Sequence, residues 1–167
     1  MATLREATND DAMAVAQVHV RSWQVGYRGL IDDDRLDAMR AAERAGTYRF
    51  ADHDPLAPQT LLAVEDERLL GFVTWGPSSD GDGGGEILAL YVDPDHWGRG
   101  VGASLLEGAI GSLRRRSPER VHLWVLEGNV RAERFYLARG WTFDGVSRRE
   151  VVWGAEVVAN RFSRELD

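Results

Sequence analysis

The chain has 167 residues, enough for one domain with a sizeable core and too few for two full ones. It contains no cysteine, which excludes disulfides, thiolate metal sites and a cysteine nucleophile. Its 20 basic residues are all arginine, which excludes a Schiff-base lysine and a phosphate-loop lysine, and 27 acids bring the net charge to −7. Such a surface repels nucleic acid phosphates and suits neutral or cationic partners.

No run approaches the ~18 continuous apolar residues of a membrane span. The opening Met1-Ala2-Thr3-Leu4-Arg5-Glu6 lacks the basic and apolar regions of a secretory signal. The expected compartment is therefore the cytoplasm, with residues 1–167 forming one domain. In chain order, residues 3–7 read as a short strand. Thr8 is placed to cap a helix, with Asp11 as its reciprocal partner three residues on. Ala12, Val15, Ala16, His19, Val20 and Trp23 follow at helical spacing, and Gly26 and Gly29 end the run. Asp32-Asp33-Asp34 opens a second helix, carrying Leu36, Met39, Ala42 and Tyr48 less regularly. Residues 53–58, with two prolines, form a loop.

Thr60 to Glu65 and Leu69 to Trp75 read as strands joined by a hairpin turn. The glycine-rich stretch Pro77 to Gly85 is a loop, and Glu86 to Val92 is apolar at every position after Glu86, as in a central strand buried on both faces. Trp97-Gly98-Arg99-Gly100-Val101-Gly102 then leads into a helix with Leu105, Leu106, Ala109, Ile110 and Leu113 on one face. Val121 to Leu126 is another buried strand. Asn129 caps a helix bearing Ala132, Phe135 and Tyr136, and Gly140 sits at its C-terminal end. Two strands close the chain, at about 141–149 and 152–164. The order β-α-α-β-β-β-α-β-α-β-β describes a mixed sheet with helices on both faces, α+β in class and α/β-like.

Two stretches can carry chemistry. The glycines of Trp97 to Gly102 allow close backbone approach, and the helix start behind them adds partial positive charge, so the place suits phosphate oxygens. A tight strand-to-helix connection explains the same glycines without a ligand. The second stretch, Asn129 to Trp141, sets Phe135 and Tyr136 about 100° apart on one helix. One ring can then serve the core while the Tyr136 hydroxyl faces a cleft, although both could be packing.

Together these stretches resemble the GNAT superfamily of acetyl-CoA-dependent N-acetyltransferases, best over residues 86–141. Gly100 and Gly102 match the small positions of the superfamily's Q/R-x-x-G-x-G/A loop, while Trp97 stands where Gln or Arg is expected. Asn129, Ala132, Phe135, Tyr136, Gly140 and Trp141 match the Asn-x-x-Ala-x-x-Phe-Tyr-x-x-x-Gly-aromatic run. The resemblance implies a mostly antiparallel sheet of about seven strands, splayed at its centre into a cofactor cleft. It implies that acetyl-CoA is held by the backbone of Leu90, Tyr91 and Val92, by Gly98, Arg99, Gly100, Val101, Gly102 and Ala103, and by Asn129. Tyr136 would lie beside the thioester sulfur.

The chemistry implied is attack of a neutral amine on the thioester, with backbone amides on the splayed strand stabilising the oxyanion. Tyr136 would protonate the departing sulfur, and Glu86 would act through water as the base, in competition with a strand-end carboxylate of no catalytic role. Glu127 is a second candidate base, and Trp124 occupies a position where other members carry one. The first two helices would border the acceptor site, bringing Trp23, Tyr27 and Arg28 near it, with His19. Trp23 and His19 also suit plain core packing. The acceptor is expected to be a small amine, amino acid or aminoglycoside-like molecule, with a protein N-terminus as the alternative. A non-catalytic acyl-CoA-binding module is the rival reading. No metal is expected. A homodimer is common in proteins of this kind, and Trp141, Trp153 and Phe162 could supply its interface or be covered within one chain.

Overall fold

The computed structural model of the chain describes residues 1–50 and 54–167; the expected loop residue His53 lies outside them. In chain order the elements are β1 (Thr3–Glu6), α1 (Ala12–Gly26), α2 (Asp33–Ala38), α3 (Ala41–Ala45), β2 (Gln59–Glu65), β3 (Arg68–Pro77), β4 (Gly85–Val92), α4 (Val101–Arg114), β5 (Arg120–Leu126), α5 (Val130–Leu137), β6 (Thr142–Val152) and β7 (Ala155–Glu165). The strands form one seven-stranded sheet in the order β1-β2-β3-β4-β5-β7-β6. Every neighbouring pair is antiparallel except β4 and β5.

Local chemistry explains most boundaries. Asp11 accepts the Thr8 backbone N–H at 2.8 Å, the reciprocal half of the cap ahead of α1. The β2–β3 turn is Asp66-Glu67, with both residues at positive φ, as the mirror-image hairpin turn requires. The second helix is a correction, because it divides into α2 and α3 at an extended Met39 and Arg40. The Gln24 side-chain amide on α1 donates to the Leu36 carbonyl at 2.9 Å, competing for an acceptor that an unbroken helix would offer to Arg40.

One face of the sheet packs against α4, where Leu105, Leu106, Ala109 and Ile110 are fully buried among Val73, Ile87, Val121 and Leu123. Each such leucine, isoleucine or valine contributes roughly 1.5–3 kcal/mol of burial. The opposite face carries α1 to α3, with Val15, Val18, Leu62 and Phe72 in one cluster and Trp23, Tyr27, Leu36 and Met39 in another. Trp141 and Phe162 are 0% and 4% exposed, covered within this chain, so neither offers surface to a second copy. Of the last two strands, β6 runs further than expected, to Val152, and β7 begins later, at Ala155, so that Trp153 lies in the turn between them rather than in a strand.

The feature that positions the site is the centre of the sheet. Strands β4 and β5 pair only at Gly85↔Val121 and Glu86↔His122, then diverge. The expectation that β4 is buried on both faces therefore holds only at its start: Gly85 to Ile87 are buried, Leu88 is exposed, and Ala89 to Val92 are half-exposed along the opening. A bulge accompanies the divergence, because Trp75 pairs with Ile87 and Thr74 with Ala89, leaving Leu88 as the extra residue. The bulge resets the alternation. Ile87, Leu90 and Val92 join the α4 core, while Ala89 and Tyr91 pack on the α1 side.

Candidate active site

A cavity of about 490 Å³ fills the opening between the diverging strands. Its walls are Leu88 to Val92 of β4 and Leu123 to Leu126 of β5, and its ends are the start of α4 and one side of α5. Gly98 and Gly100 have φ of +74° and +82°, and nothing lies within 4 Å of where a Cβ would stand on either. The loop is thus a bare cradle, open where side chains would fill it. The first bond from this turn into α4 is Ser104 N–H to the Gly100 carbonyl at 3.0 Å. The amides of Val101, Gly102 and Ala103 precede it and have no intrahelical acceptor. These three residues line the cavity with Gly98 and Gly100; the exposed Arg99 does not.

Trp97 also lines the cavity and donates its indole N–H to the Val92 carbonyl at 2.8 Å. Its ring carries the Arg131 guanidinium at 3.3 Å from the ring centre. Arg131 lines the cavity as well, so α5 places a cation beside Trp97. It was not among the residues singled out from the sequence, and its proximity to Trp97 has no local signature. Asn129 accepts the Ala132 N–H at 3.2 Å, capping α5 while lining the cavity. Tyr136 lines it too and is 8% exposed, with its ring edge-on to Phe135 and Trp141. Burial, reinforced by the nearby Tyr91 phenol and opposed by Arg131, pushes the Tyr136 hydroxyl pKa up.

A second cavity, about 840 Å³, lies on the α1 side. It shares Tyr27, Ile87, Leu88, Ala89, Tyr91, Trp124 and Leu126 with the first, so the two meet at the split. Glu86 lines it and is 2% exposed. Its Oε1 accepts from His122 Nε2 at 2.9 Å and from the Ser79 hydroxyl at 3.1 Å, while Oε2 has no hydrogen-bond partner among the described residues. Burial pushes this carboxyl up, but the bond and charge of His122 and the bond from Ser79 outweigh it and bring the pKa below its ordinary value. The loop before β4 is therefore tied to the site through Ser79.

His19 lines the same cavity, stacked on Tyr91 at 4.5 Å with Nδ1 2.8 Å from the Tyr48 hydroxyl. Its pKa is lowered to about 3, first by burial and then by the Arg44 charge, so the ring is neutral. Trp23 and Tyr27 line the cavity as well. Arg28 is not brought there. It is held outside by Asp37 at 2.6 Å and Asp33 at 3.2 Å, because α2 gives its guanidinium exposed carboxylates close by. Glu127 is exposed and lines neither cavity. Asp80, Asp82 and His122 bring possible ligand atoms within 4.8 Å of one another, but Arg161 engages Asp80 and Glu86 engages His122.

A sheet that splits between its two parallel strands, beside a helix start with bare amides, defines a protein built to grip an extended phosphate-bearing ligand. The acetyltransferase (GNAT) family model matches residues 14–141, and the chain belongs to that family. Among its relatives, the uncharacterized N-acetyltransferase YuaI of Bacillus subtilis is 28% identical over 133 residues, covering 77% of this chain and 74% of that protein. An uncharacterized N-acetyltransferase of Archaeoglobus fulgidus is 31% identical over 141 residues, covering 81% of this chain and 90% of its own length. The mycothiol acetyltransferase of Propionibacterium freudenreichii is 38% identical over 128 residues, a match to 66% of this chain and 41% of that longer protein. In fold, the chain is similar to the PaiA N-acetyltransferase of Thermoplasma acidophilum, solved with coenzyme A, at a TM-score of 0.78 and 19% identity over 99% of both chains. The chain is thus an acetyltransferase, with acetyl-CoA as its acetyl donor. None of its described helices is long and apolar enough to cross a membrane.

Proposed function

We propose that this acetyltransferase moves the acetyl group to the primary amine of a small molecule by direct attack, with donor and acceptor bound together and residues 1–167 acting as one domain. The observation that carries this reading is the meeting of two cavities at the β4–β5 split, with Tyr136 lining one and Glu86 the other. The single seven-stranded sheet supports the one-domain reading. The absence of cysteine supports direct transfer, since no thiol is present to carry the acetyl group.

The residues suit the donor. The free amides of Val101, Gly102 and Ala103, with the Arg131 cation, would take its diphosphate, and Gly98 and Gly100 keep side chains out of the way. The backbone of Leu90, Tyr91 and Val92 lies along the part of β4 that is paired with β3 but not with β5, and would pair on that free side with the pantetheine arm, with Asn129 beside it. The bound donor supplies a thioester, an acetyl group activated toward amines. At the split, a backbone N–H of β4 on the side away from β3 would stabilise the oxyanion. Tyr136, kept protonated by its raised pKa, holds the proton that a departing thiolate needs. Glu86, kept ionised, attracts an ammonium and accepts its proton through water. The exposed Phe143, Val146 and Val151 on the edge strand β6 support the homodimer expected from the resemblance.

The test is amine-dependent release of CoA, with CoA binding followed separately by calorimetry. Tyr136→Phe is expected to bind CoA normally and lose roughly 10²–10⁴ in kcat. With Tyr136 protonated well past neutrality, wild-type kcat should show no falling limb below about pH 10. A chain that binds CoA but releases none with any amine, and is indifferent to Tyr136→Phe, would be a binding module instead.

A further inference from the structure

We propose that the second cavity takes a primary amine carried on a flat apolar body, an arylalkylamine in chemical class, with Trp153 as the wall that selects it. This rests on the acetyl-transfer reading above. The walls are rings: Trp23, Tyr27, Tyr91, Trp124 and Trp153 all line the cavity. The Glu86 carboxylate, 2% exposed and with Oε2 unpartnered among the described residues, is the one buried charge there. Of the other charges, Arg148 is bonded to Glu150 at 2.9 Å while its guanidinium covers Trp124 at 3.9 Å, Glu43 is exposed, and Arg44 lies 5.9 Å from the Trp153 ring with Nε unpartnered among the described residues. His19 is neutral. One buried carboxylate matches one ammonium. A polyamine or an aminoglycoside would bring further cations against the guanidinium groups of Arg44 and Arg148.

The backbone at Trp153 is strained. Trp153 and Gly154 form the two-residue turn between β6 and β7, at φ of +52° and +75°. The first position of such a turn favours Asn, Asp or Gly, and a bulky side chain in the left-handed region is strained. The β2–β3 turn, of the same hand, uses the exposed polar residues Asp66 and Glu67. At Trp153 the indole instead leans inward, 6.2 Å from Trp23 between ring centres, with the Arg44 guanidinium 5.9 Å from the ring. Strain of this kind is retained where a side chain must reach a particular place. Here the side chain lines the cavity that Glu86 opens into.

The test measures CoA thiol release from acetyl-CoA with phenethylamine, tryptamine, spermidine and kanamycin; the protein itself contributes no thiol. The expected result is kcat/KM at least about tenfold higher for the two arylalkylamines, in line with a ring held between rings. Trp153→Gly should raise the tryptamine KM about tenfold, with kcat changing less, and Trp153→Phe should restore most of it. Because glycine relieves the turn, Trp153→Gly should also melt no lower than wild type. Equal or better turnover of spermidine or kanamycin overturns the proposal, and so does a tryptamine KM indifferent to Trp153→Gly. If calorimetry shows CoA bound but neither arylalkylamine is acetylated, this acceptor class is wrong and acetyl transfer stands. If CoA does not bind, both fall.

Discussion

The Arg131 guanidinium lies flat against the Trp97 indole, 3.3 Å from the ring centre, and the indole is fixed in turn by its bond to the Val92 carbonyl. A Cβ on Gly26 would come within 3.3 Å of Arg131 Nη2, so α1 closes the third side of this stack. In the reading proposed above, this stacked arginine takes the place of the one absent from the first loop position. A charge-assisted contact to phosphate contributes roughly 1.5–3 kcal/mol. Arg131→Gln should therefore raise the acetyl-CoA KM about tenfold or more, with a smaller change in kcat. Steady-state kinetics with acetyl-CoA and with a phosphate-free acetyl-pantetheine donor checks this, because the penalty should disappear with the second donor.

Glu86→Gln keeps the size of the side chain and removes its charge. The variant should lose about 10²-fold in kcat/KM for the amine, while CoA affinity is unaffected. The pH profile carries a sharper expectation. The Glu86 carboxyl sits below its ordinary pKa, through His122 and Ser79 acting against burial, so it remains ionised across the working range. The acid limb of wild-type kcat/KM should then follow the ionisation of the amine. Two amines of different basicity should displace that limb by the difference in their own pKa values.

The N-terminal cap makes stability depend on acid. The bond from Arg5 lowers the Asp11 carboxyl to about 2 despite partial burial, helped by the Thr8 amide. A folded pKa below the unfolded value of about 3.9 stabilises the fold above that pH, and the contribution is lost as pH falls towards 2. Solvent screening of this surface pair keeps the contribution to about 1 kcal/mol or less. Asp11→Asn should lower Tm by a few degrees at pH 7, and melts at lower pH should show the gap to wild type closing between about pH 4 and 2.

What could be read along the chain was whatever repeats or punctuates locally. The Thr8–Asp11 cap, the apolar stripe of α4, the glycines before it and the Asn129 cap of α5 all act within a few residues, and each was placed from spacing alone. The glycine cradle and the start of α4 were legible for the same reason, since both are local objects. Of the second cavity, only single members such as His19, Trp23, Tyr27 and Glu86 could be named, not how they meet. Glu86 and Tyr91 reach one cavity because the Leu88 bulge shifts the alternation of β4, and a bulge depends on the register of the neighbouring strand. Arg131 meets Trp97, Ser79 meets Glu86, and Trp153 meets Trp23 only after separate elements have packed. The break between α2 and α3 likewise depends on Gln24 reaching across from α1. Periodicity records which face of one element turns inward. Which residues then confront one another is decided by packing between elements, and the second cavity is made almost wholly of such encounters.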